Sequence, residues 1–388
     1  MKKVRLGDIA TVITKGTTPT TLGYNFVDDG VNFVKIESIT ENGEFLIDKF
    51  AHITDECDRK LSRSQLQQND LLFSIAGAIG RTAIVTEDIL PANTNQALAI
   101  IRVPEGVVAY SYLKYVLQSP GVVEQFEKKK QGVAQLNISL KDIGDFEIPL
   151  RTAEDQLSIV ATMDKISELI ALRKEQLAKL DQLVKSRFIE LFGDPITNTK
   201  EWKFEKAEKH IDLLSGFPFD SSQYTEFGIR ICGGLIIMPQ RIDWDSCKYW
   251  RSTEGFEDYI LREKDIVMAL DRPWISEGFK IAMVDADKLP ALLIQRTARI
   301  RAVDINQHYL MYCFILGGFD NHCNVTGSLV PHISAKDIRS FPIMLPPMEL
   351  QEQFEAFVEQ TAKSKMAIQQ SLDKLELLKK ALMQEYFG

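Results

Sequence analysis

The chain has 388 residues, 45% of them hydrophobic and 26% charged, with a net charge of −8. That length and apolar content suit two to three domains with sizeable cores. They exclude a membrane-spanning protein, since no apolar run is long enough, and an apolar signal core, since Met1-Lys2-Lys3-Val4-Arg5 leads into Gly7-Asp8. The acidic balance also counts against a generic nucleic-acid binder, whose surface is usually basic.

Residues 1–145 mix short strand-like runs at 31–39, 70–75, 82–85 and 97–103 with Gly and Asn-Gly turns. Helices are predicted at 108–117 and 121–130, separated by Ser119-Pro120. From 153 to 192 there is neither Gly nor Pro, and Thr152 stands three residues before Asp155 as a cap. Ile159, Met163, Ile166, Ile170, Arg173, Leu177, Leu180, Val184, Arg187 and Leu191 follow a 4-3-4-3 spacing, a heptad seam with two basic interruptions. This predicts one helix of about 37 residues, roughly 55 Å long.

Residues 196–345 echo the first 145 in order. Asp70-Leu71-Leu72 corresponds to Asp265-Ile266-Val267, Gln96 to Gln295, Ile101-Arg102 to Ile300-Arg301, and Tyr112-Leu113 to Tyr309-Leu310. Pro346-Pro347 then opens a second long helix, where a missing N–H costs nothing. Its seam reads Phe354, Val358, Thr361, Lys365, Ile368, Leu372, Leu375, Lys379, Leu382 and Tyr386. The polar seam positions read as register setters or as contacts to a third partner.

Residues 138–193 align without a gap with 333–388 at a constant offset of 195. The identical pairs include Ser139/Ser334, Asp142/Asp337, Phe146/Phe341, Glu154/Glu349, Gln156/Gln351 and Phe192/Phe387. Such a period is too long for a solenoid unit and marks a whole domain plus its connector, copied once. The expected fold is α+β: two β-rich domains at 1–150 and 196–345, related by a pseudo-twofold and separated by two long antiparallel coiled-coil helices at 151–195 and 346–388. A twofold protein suits a ligand with its own twofold, such as the backbone of duplex DNA.

Catalytic signatures are missing. There is no phosphate-cradling Gly-x-x-x-x-Gly-Lys-Ser/Thr loop, no Gly-x-Gly-x-x-Gly, no Pro-Asp dipeptide to open a nuclease carboxylate cluster, and no His-x-x-x-His or His-Glu pair for zinc. Leu345-Pro346-Pro347-Met348 superficially suggests an amino-methyltransferase motif, but it lacks the polar and aromatic residues and reads as a helix start. The five cysteines (57, 232, 247, 313, 323) have no Cys-x-x-Cys spacing and fit reduced thiols in a cytoplasm. Cys313, His322 and Cys323 straddle an apolar helix and its turn, a spacing more usual in a core than in a metal site.

Two variable domains, each ending in Ile-Ser-x-x-Asp-Ile, a proline and a long helix beginning near Glu-x-Gln, resemble the specificity subunit of type I restriction–modification systems. The resemblance runs over essentially the whole chain. It is carried by Gly16-Thr17-Thr18-Pro19, Gly132 to Ile143 and Glu154-Asp155-Gln156, and in the second copy by Gly327 to Ile338 and Glu349-Leu350-Gln351. Ser215-Gly216-Phe217-Pro218-Phe219 and Val330-Pro331-His332 depart from that pattern.

The resemblance implies that each domain is a target-recognition domain reading one half of a split, asymmetric double-stranded DNA site. The helices would space the domains and dock two methyltransferase subunits, and a restriction/motor subunit can join. The chain itself would be non-catalytic and without cofactor, with S-adenosylmethionine, ATP and Mg bound by the partners. Those partners would also share phosphate binding, which answers the acidic charge. A coiled-coil adaptor binding only proteins is the competing reading.

Base reading needs Arg, Lys, Asn or Gln on exposed loops, and phosphate contacts need Lys, Ser, Thr and free backbone N–H groups. Phosphate candidates are Lys15, Thr17, Thr18, Lys35, the Lys128-Lys129-Lys130 run and Gln135. Arg81 and the Asn93-Thr94-Asn95-Gln96 stretch are base-edge candidates, with turn capping the alternative for Asn93 and Asn95. In the second domain Leu270-Asp271-Arg272-Pro273-Trp274 offers an acceptor (Asp271), a forked donor (Arg272) and a stacking surface (Trp274), with Arg230 and Arg241 as further donors.

Overall fold

The computed structural model describes residues 2–129, 137–323 and 331–388. The protein is α+β and divides into two compact units. Unit 1 is Met1–Lys174 with Gln370–Gly388, and unit 2 is Glu175–Gln369. Each long helix is therefore shared, half in each unit, because each half is buried against a different set of strands.

In unit 1 a four-stranded antiparallel sheet runs in the order Val12–Lys15, Leu98–Arg102, Leu71–Ser74, Thr82–Ile84. Beside it a three-stranded sheet places Val31–Val34 between Ala51–Ile53 and Ala92–Thr94, the last pairing in parallel. Lys2–Arg5 pairs with Glu147–Leu150 to close the domain. Leu71–Ser74 is buried throughout, so it reads as a continuous apolar run rather than an alternating one. The expected strand at 31–39 stops at Val34, since the Ser38 N–H turns back onto the Lys35 carbonyl at 3.0 Å.

Unit 2 repeats this plan. Its four-stranded sheet runs Ile211–Ser215, Thr297–Ala302, Ile266–Ala269, Ile281–Met283, and its three-stranded sheet places Ile229–Cys232 between Lys248–Trp250 and Ala291–Leu293. Phe204–Lys206 pairs with Pro342–Met344.

The residues repeated in the sequence hold equivalent joints. Arg102 forks onto the buried Asp70 at 2.6 and 2.7 Å, and Arg301 onto the buried Asp265 at 2.5 and 2.8 Å. Bidentate, charge-assisted bonds of this kind keep a buried carboxylate fully matched. Ser139 and Asp142 form a capping box, as do Ser334 and Asp337, which is the physical content of Ile-Ser-x-x-Asp-Ile. Gln156 accepts from the Ala109 N–H at 2.8 Å and donates to the Arg151 carbonyl at 3.0 Å. Gln351 does the same to Asn306 and Pro346 at 2.9 and 2.8 Å. The glutamine of Glu-x-Gln thus ties each helix start to its unit.

The long helices are Ala153–Phe192 and Met348–Phe387, 40 residues each. Thr152 Oγ1 accepts from the Asp155 N–H at 3.2 Å, capping the first. No seam position is exposed on either helix, while most of their neighbours are. In unit 1 Arg151 donates to the Tyr386 carbonyl at 2.9 Å and Arg173 Nε to Ser371 Oγ at 3.2 Å. In unit 2 Lys365 pairs with Asp181, and the rings of Phe188 and Phe354 meet at 5.4 Å. Within each unit the numbers rise along one helix as they fall along the other, so the two segments run antiparallel. The polar seam residues Arg173 and Lys365 engage the facing helix, as the register-setting alternative expects.

The helix ends are plugs. Phe387 is 2% exposed in the unit 1 core with its ring 5.5 Å from Tyr112, and Phe192 is 0% exposed in the unit 2 core, 4.6 Å from Tyr309. Both tyrosines donate to a backbone carbonyl at 3.0 Å, that of Pro149 or of Met344. Among the described residues no helix is long and apolar enough to cross a membrane.

Phe387→Ala should destabilise unit 1 and Phe192→Ala unit 2, each by about 3–5 kcal/mol. Chemical denaturation with hydrogen exchange by mass spectrometry reads both effects, and the protection lost should map to the unit whose plug was removed. Equal loss in both units from either change, or none, would contradict this packing.

Candidate nucleic-acid interface

In unit 1 the turn after Val12–Lys15 lies against the turn between Ala92–Thr94 and Leu98–Arg102. The two backbones approach so closely at Gly16 that a Cβ there would fall 1.8 Å from the Thr94 carbonyl oxygen, so only glycine fits. The Gly16 N–H donates to the Asn95 carbonyl at 3.1 Å, and Thr18 Oγ1 hydrogen-bonds Gln96 Oε1. Lys15, Thr17 and Thr18 are half-buried on this shared edge. Asn95 is also half-buried, and its side chain accepts from the Ala97 N–H at 3.0 Å, which is the turn-capping role.

Lys35 places its ammonium 4.3 Å from the centre of the Phe26 ring. Lys128 stands exposed on Pro120–Lys129 and bonds Glu124 one turn back at 2.6 Å. Lys129 belongs to the same helix, but its side chain lies outside the described residues, as do Lys130 and Gln135.

Two base-edge candidates of unit 1 are corrected. Asn93 is 0% exposed, donates to Asp58 Oδ1 at 2.8 Å and to the Leu61 carbonyl at 3.2 Å, and accepts from Ser64 Oγ at 2.7 Å. It satisfies a buried polar pocket and has no path to a ligand. Arg81 is half-buried and turns Nη1 onto the carbonyls of Ile39 and Ile36 at 2.6 and 3.3 Å, so this nitrogen, unlike that of an exposed arginine on a carboxylate, ties a half-buried side chain to a loop backbone.

In unit 2 the same close approach recurs at Gly216, where a Cβ would lie 1.9 Å from the Ile294 carbonyl. The departure that follows has a packing cause. Phe217 and Phe219, whose rings are 5.0 Å apart, join Phe256, Trp250 and Tyr259 in an aromatic cluster. Arg230 is half-buried and donates to the Lys288 carbonyl at 3.3 Å, whereas Arg241 is exposed.

The 271–274 segment is the most polar part of this edge. Arg272 is exposed with φ of 45°, and its N–H donates to the Pro331 carbonyl at 3.0 Å. Trp274 stacks on Phe279 at 5.4 Å and 20°, so one face of the indole is already covered. Asp271 is a junction: Oδ1 lies 2.6 Å from His332 Nδ1 and Oδ2 lies 3.2 Å from Arg296. Sequence reasoning missed Arg296, although it directly follows Gln295, the counterpart of Gln96. Nearby, Lys280 is buried and donates to the Gly234 carbonyl; burial, then the Arg272 charge, lowers its ammonium below the usual lysine range.

Cys313 and Cys323 are buried, and burial pushes both thiols up to about 12. His322 Nε2 meets Ser340 Oγ at 3.0 Å. His308, Glu355 and Glu359 bring one ligand atom each within 4.8 Å of one another, but Lys264 bonds both carboxylates at 2.9 and 2.6 Å and supplies the matching charge.

Residues 1–182 match the family model of the type I restriction modification DNA specificity domain. The chain is 30% identical over 196 residues to the type I restriction enzyme EcoBI specificity subunit of Escherichia coli, covering 49% of this chain and 39% of that protein. It is 22% identical over 369 residues to the MjaVIII specificity subunit of Methanocaldococcus jannaschii, covering 90% and 83%. The matched stretch thus spans less than half of the Escherichia coli relative. Two solved structures share the fold. One is a chain from a study of complex assembly and conformational transition of the type I R-M system, with TM-score 0.57 at 18% identity over 99% of this chain and 96% of that one. The other is the type I restriction–modification S subunit from M. genitalium, with TM-score 0.56 at 12% identity over 100% and 96%. Over residues 1–182 the chain is thus similar to the type I restriction modification DNA specificity domain, and at lower identity over most of its length to a type I specificity subunit.

The burial of Asn93 predicts that Asn93→Ala lowers stability by about 1–3 kcal/mol, because Asp58 and Ser64 lose a partner. Arg241→Ala, on an exposed side chain, should change it by no more than about 0.5 kcal/mol. Urea denaturation of the two variants gives the comparison, and equal stabilities would place Asn93 wrongly.

Proposed function

We propose that this chain is the DNA sequence-specificity subunit of a type I restriction–modification complex. Unit 1 and unit 2 carry target-recognition domains that each read one half of a bipartite, asymmetric site. The observation that carries this reading is the duplication. One backbone framework, with the same close-approach glycine, buried Asp–Arg pair and capping box, presents two different sets of loop side chains. A binding protein that must read two unlike sequences needs that combination.

The long helices supply the docking surface for two methyltransferase subunits. Leu157, Leu172, Leu183, Ile189, Met366, Leu377 and Leu378 are exposed on them and offer apolar side chains for such partners to cover. The chain itself does no chemistry; S-adenosylmethionine, and ATP with Mg in a restriction complex, belong to the partner subunits. Those partners share the phosphate binding with this chain, which answers its net charge of −8. The place of action is the cytoplasm, where the DNA is. The adaptor reading finds no support in the family match.

Selection from a randomised duplex pool by the chain assembled with its methyltransferase subunits should yield two short conserved halves around an unconserved gap. The purified chain alone, given S-adenosylmethionine, ATP and magnesium, should transfer no methyl group and cut no strand. Enrichment of no motif would refute the specificity assignment, and methyl transfer by the chain alone would refute the non-catalytic one.

A further inference from the structure

At three matched positions the two units carry different side-chain chemistry around equivalent backbone hydrogen bonds. The Leu270 N–H donates to the Arg296 carbonyl at 2.9 Å, and the Ile333 N–H to the Leu270 carbonyl at 2.8 Å. In unit 1 the corresponding bonds run from the Ile75 N–H to the Ala97 carbonyl at 2.9 Å and from the Ile138 N–H to the Ile75 carbonyl at 3.1 Å. Asp271 bridges His332 through the backbone as Ala76 bridges Asn137. Asp271, Arg296 and His332 therefore occupy the places that Ala76, Ala97 and Asn137 hold in unit 1.

Both units keep these backbone bonds, and none of them requires the exchange of two alanines for an ion pair. The exchanged side chains also face outward: the Arg296 side chain is 73% exposed and that of His332 45%. Arg296 and Arg272 both take left-handed backbone, with φ of 65° and 45°, which unbranched side chains adopt at a cost. Asp271 uses both carboxylate oxygens, one toward His332 and one toward Arg296 Nη1. The ion pair engages one nitrogen of an exposed arginine and draws the side chain toward Asp271, leaving its other donors directed to solvent. That is the geometry that pairs with O6 and N7 of guanine in the major groove, and a lysine ammonium cannot reproduce the fork.

We infer that Arg296 reads a guanine in the half-site of unit 2, with Asp271, shared with His332, as the positioning residue that orients it. This rests on the reading of the chain as a DNA-specificity subunit. Ala97 and Ala76 have no polar side-chain atom, so unit 1 makes no such contact at these positions, and the two halves of the site differ there by construction.

The test uses the chain assembled with its methyltransferase subunits, selected on duplexes randomised in both halves, for wild type, Arg296→Lys, Arg296→Ala and Asp271→Asn. All three variants should lose guanine preference at one position of the unit 2 half, by about tenfold or more for the two Arg296 variants. The unit 1 half should stay as in wild type, and Arg296→Lys should retain near wild-type affinity for pooled sequences. Wild-type preference in Arg296→Lys would overturn the inference alone. A uniform loss over all sequences in Arg296→Ala, with a shallower salt dependence, would also overturn it by making Arg296 a phosphate contact. A wild-type complex that selects no motif in either half would overturn the specificity-subunit reading and this inference with it.

Discussion

The burial of one aromatic ring at the end of each long helix is what the rest of the structure depends on. Phe192 and Phe387 are the same position of the repeat, yet Phe192 completes the core of unit 2 and Phe387 that of unit 1. Unit 1 is therefore closed by a segment more than two hundred residues away in the chain, as the bond from Arg151 to the Tyr386 carbonyl records. Loop-closure entropy grows only slowly with loop length, so such a distant closure costs little stability. It does couple the two ends of the chain. Met383 and Phe387 enter the core that also holds Ile159, Val160 and Met163, so the start of one helix and the end of the other are buried together.

From that constraint follows the division of labour between backbone and side chain. The Asp–Arg forks, the capping boxes and the glutamines at the helix starts are fixed in both copies because each satisfies buried polar groups whose loss would be costly. The turns at 16–18 and 95–97 of unit 1, and that at 271–274 of unit 2, are under no such demand within their own unit. There the copies diverge into a threonine–glutamine contact in one and an Asp271-centred ion cluster beside an aromatic cluster in the other. The shared positions satisfy buried polar groups, and the divergent ones carry the difference in side-chain chemistry between the units.

The long helices were legible in the sequence because a seam repeated over ten positions has a single geometric solution, and Thr152 marked where it starts. The joints were legible as pairs: Asp70 with Asp265, Arg102 with Arg301, and the Ile-Ser-x-x-Asp-Ile turn. The site was less so. Asn93 and Arg81 have the composition of base readers, and only their burial and their backbone partners show that they hold loops together. Arg296 escaped notice because its place beside Asp271 is made by the packing of distant strands, to which no local pattern points. Phe188 escaped for a similar reason: it lies off the heptad seam and is buried by unit 2 rather than by the facing helix alone.

If each unit reads its own half of the site through side chains mounted on a common frame, specificity should move with the side chains. The most direct measurement replaces residues 196–345 by a second copy of residues 1–150 and repeats the duplex selection with the methyltransferase subunits present. Phe192 meets Tyr309 as Phe387 meets Tyr112, so the transplanted copy finds its plug in place. The account predicts a motif whose two halves are both the one read by unit 1. A motif that keeps the original second half would contradict it.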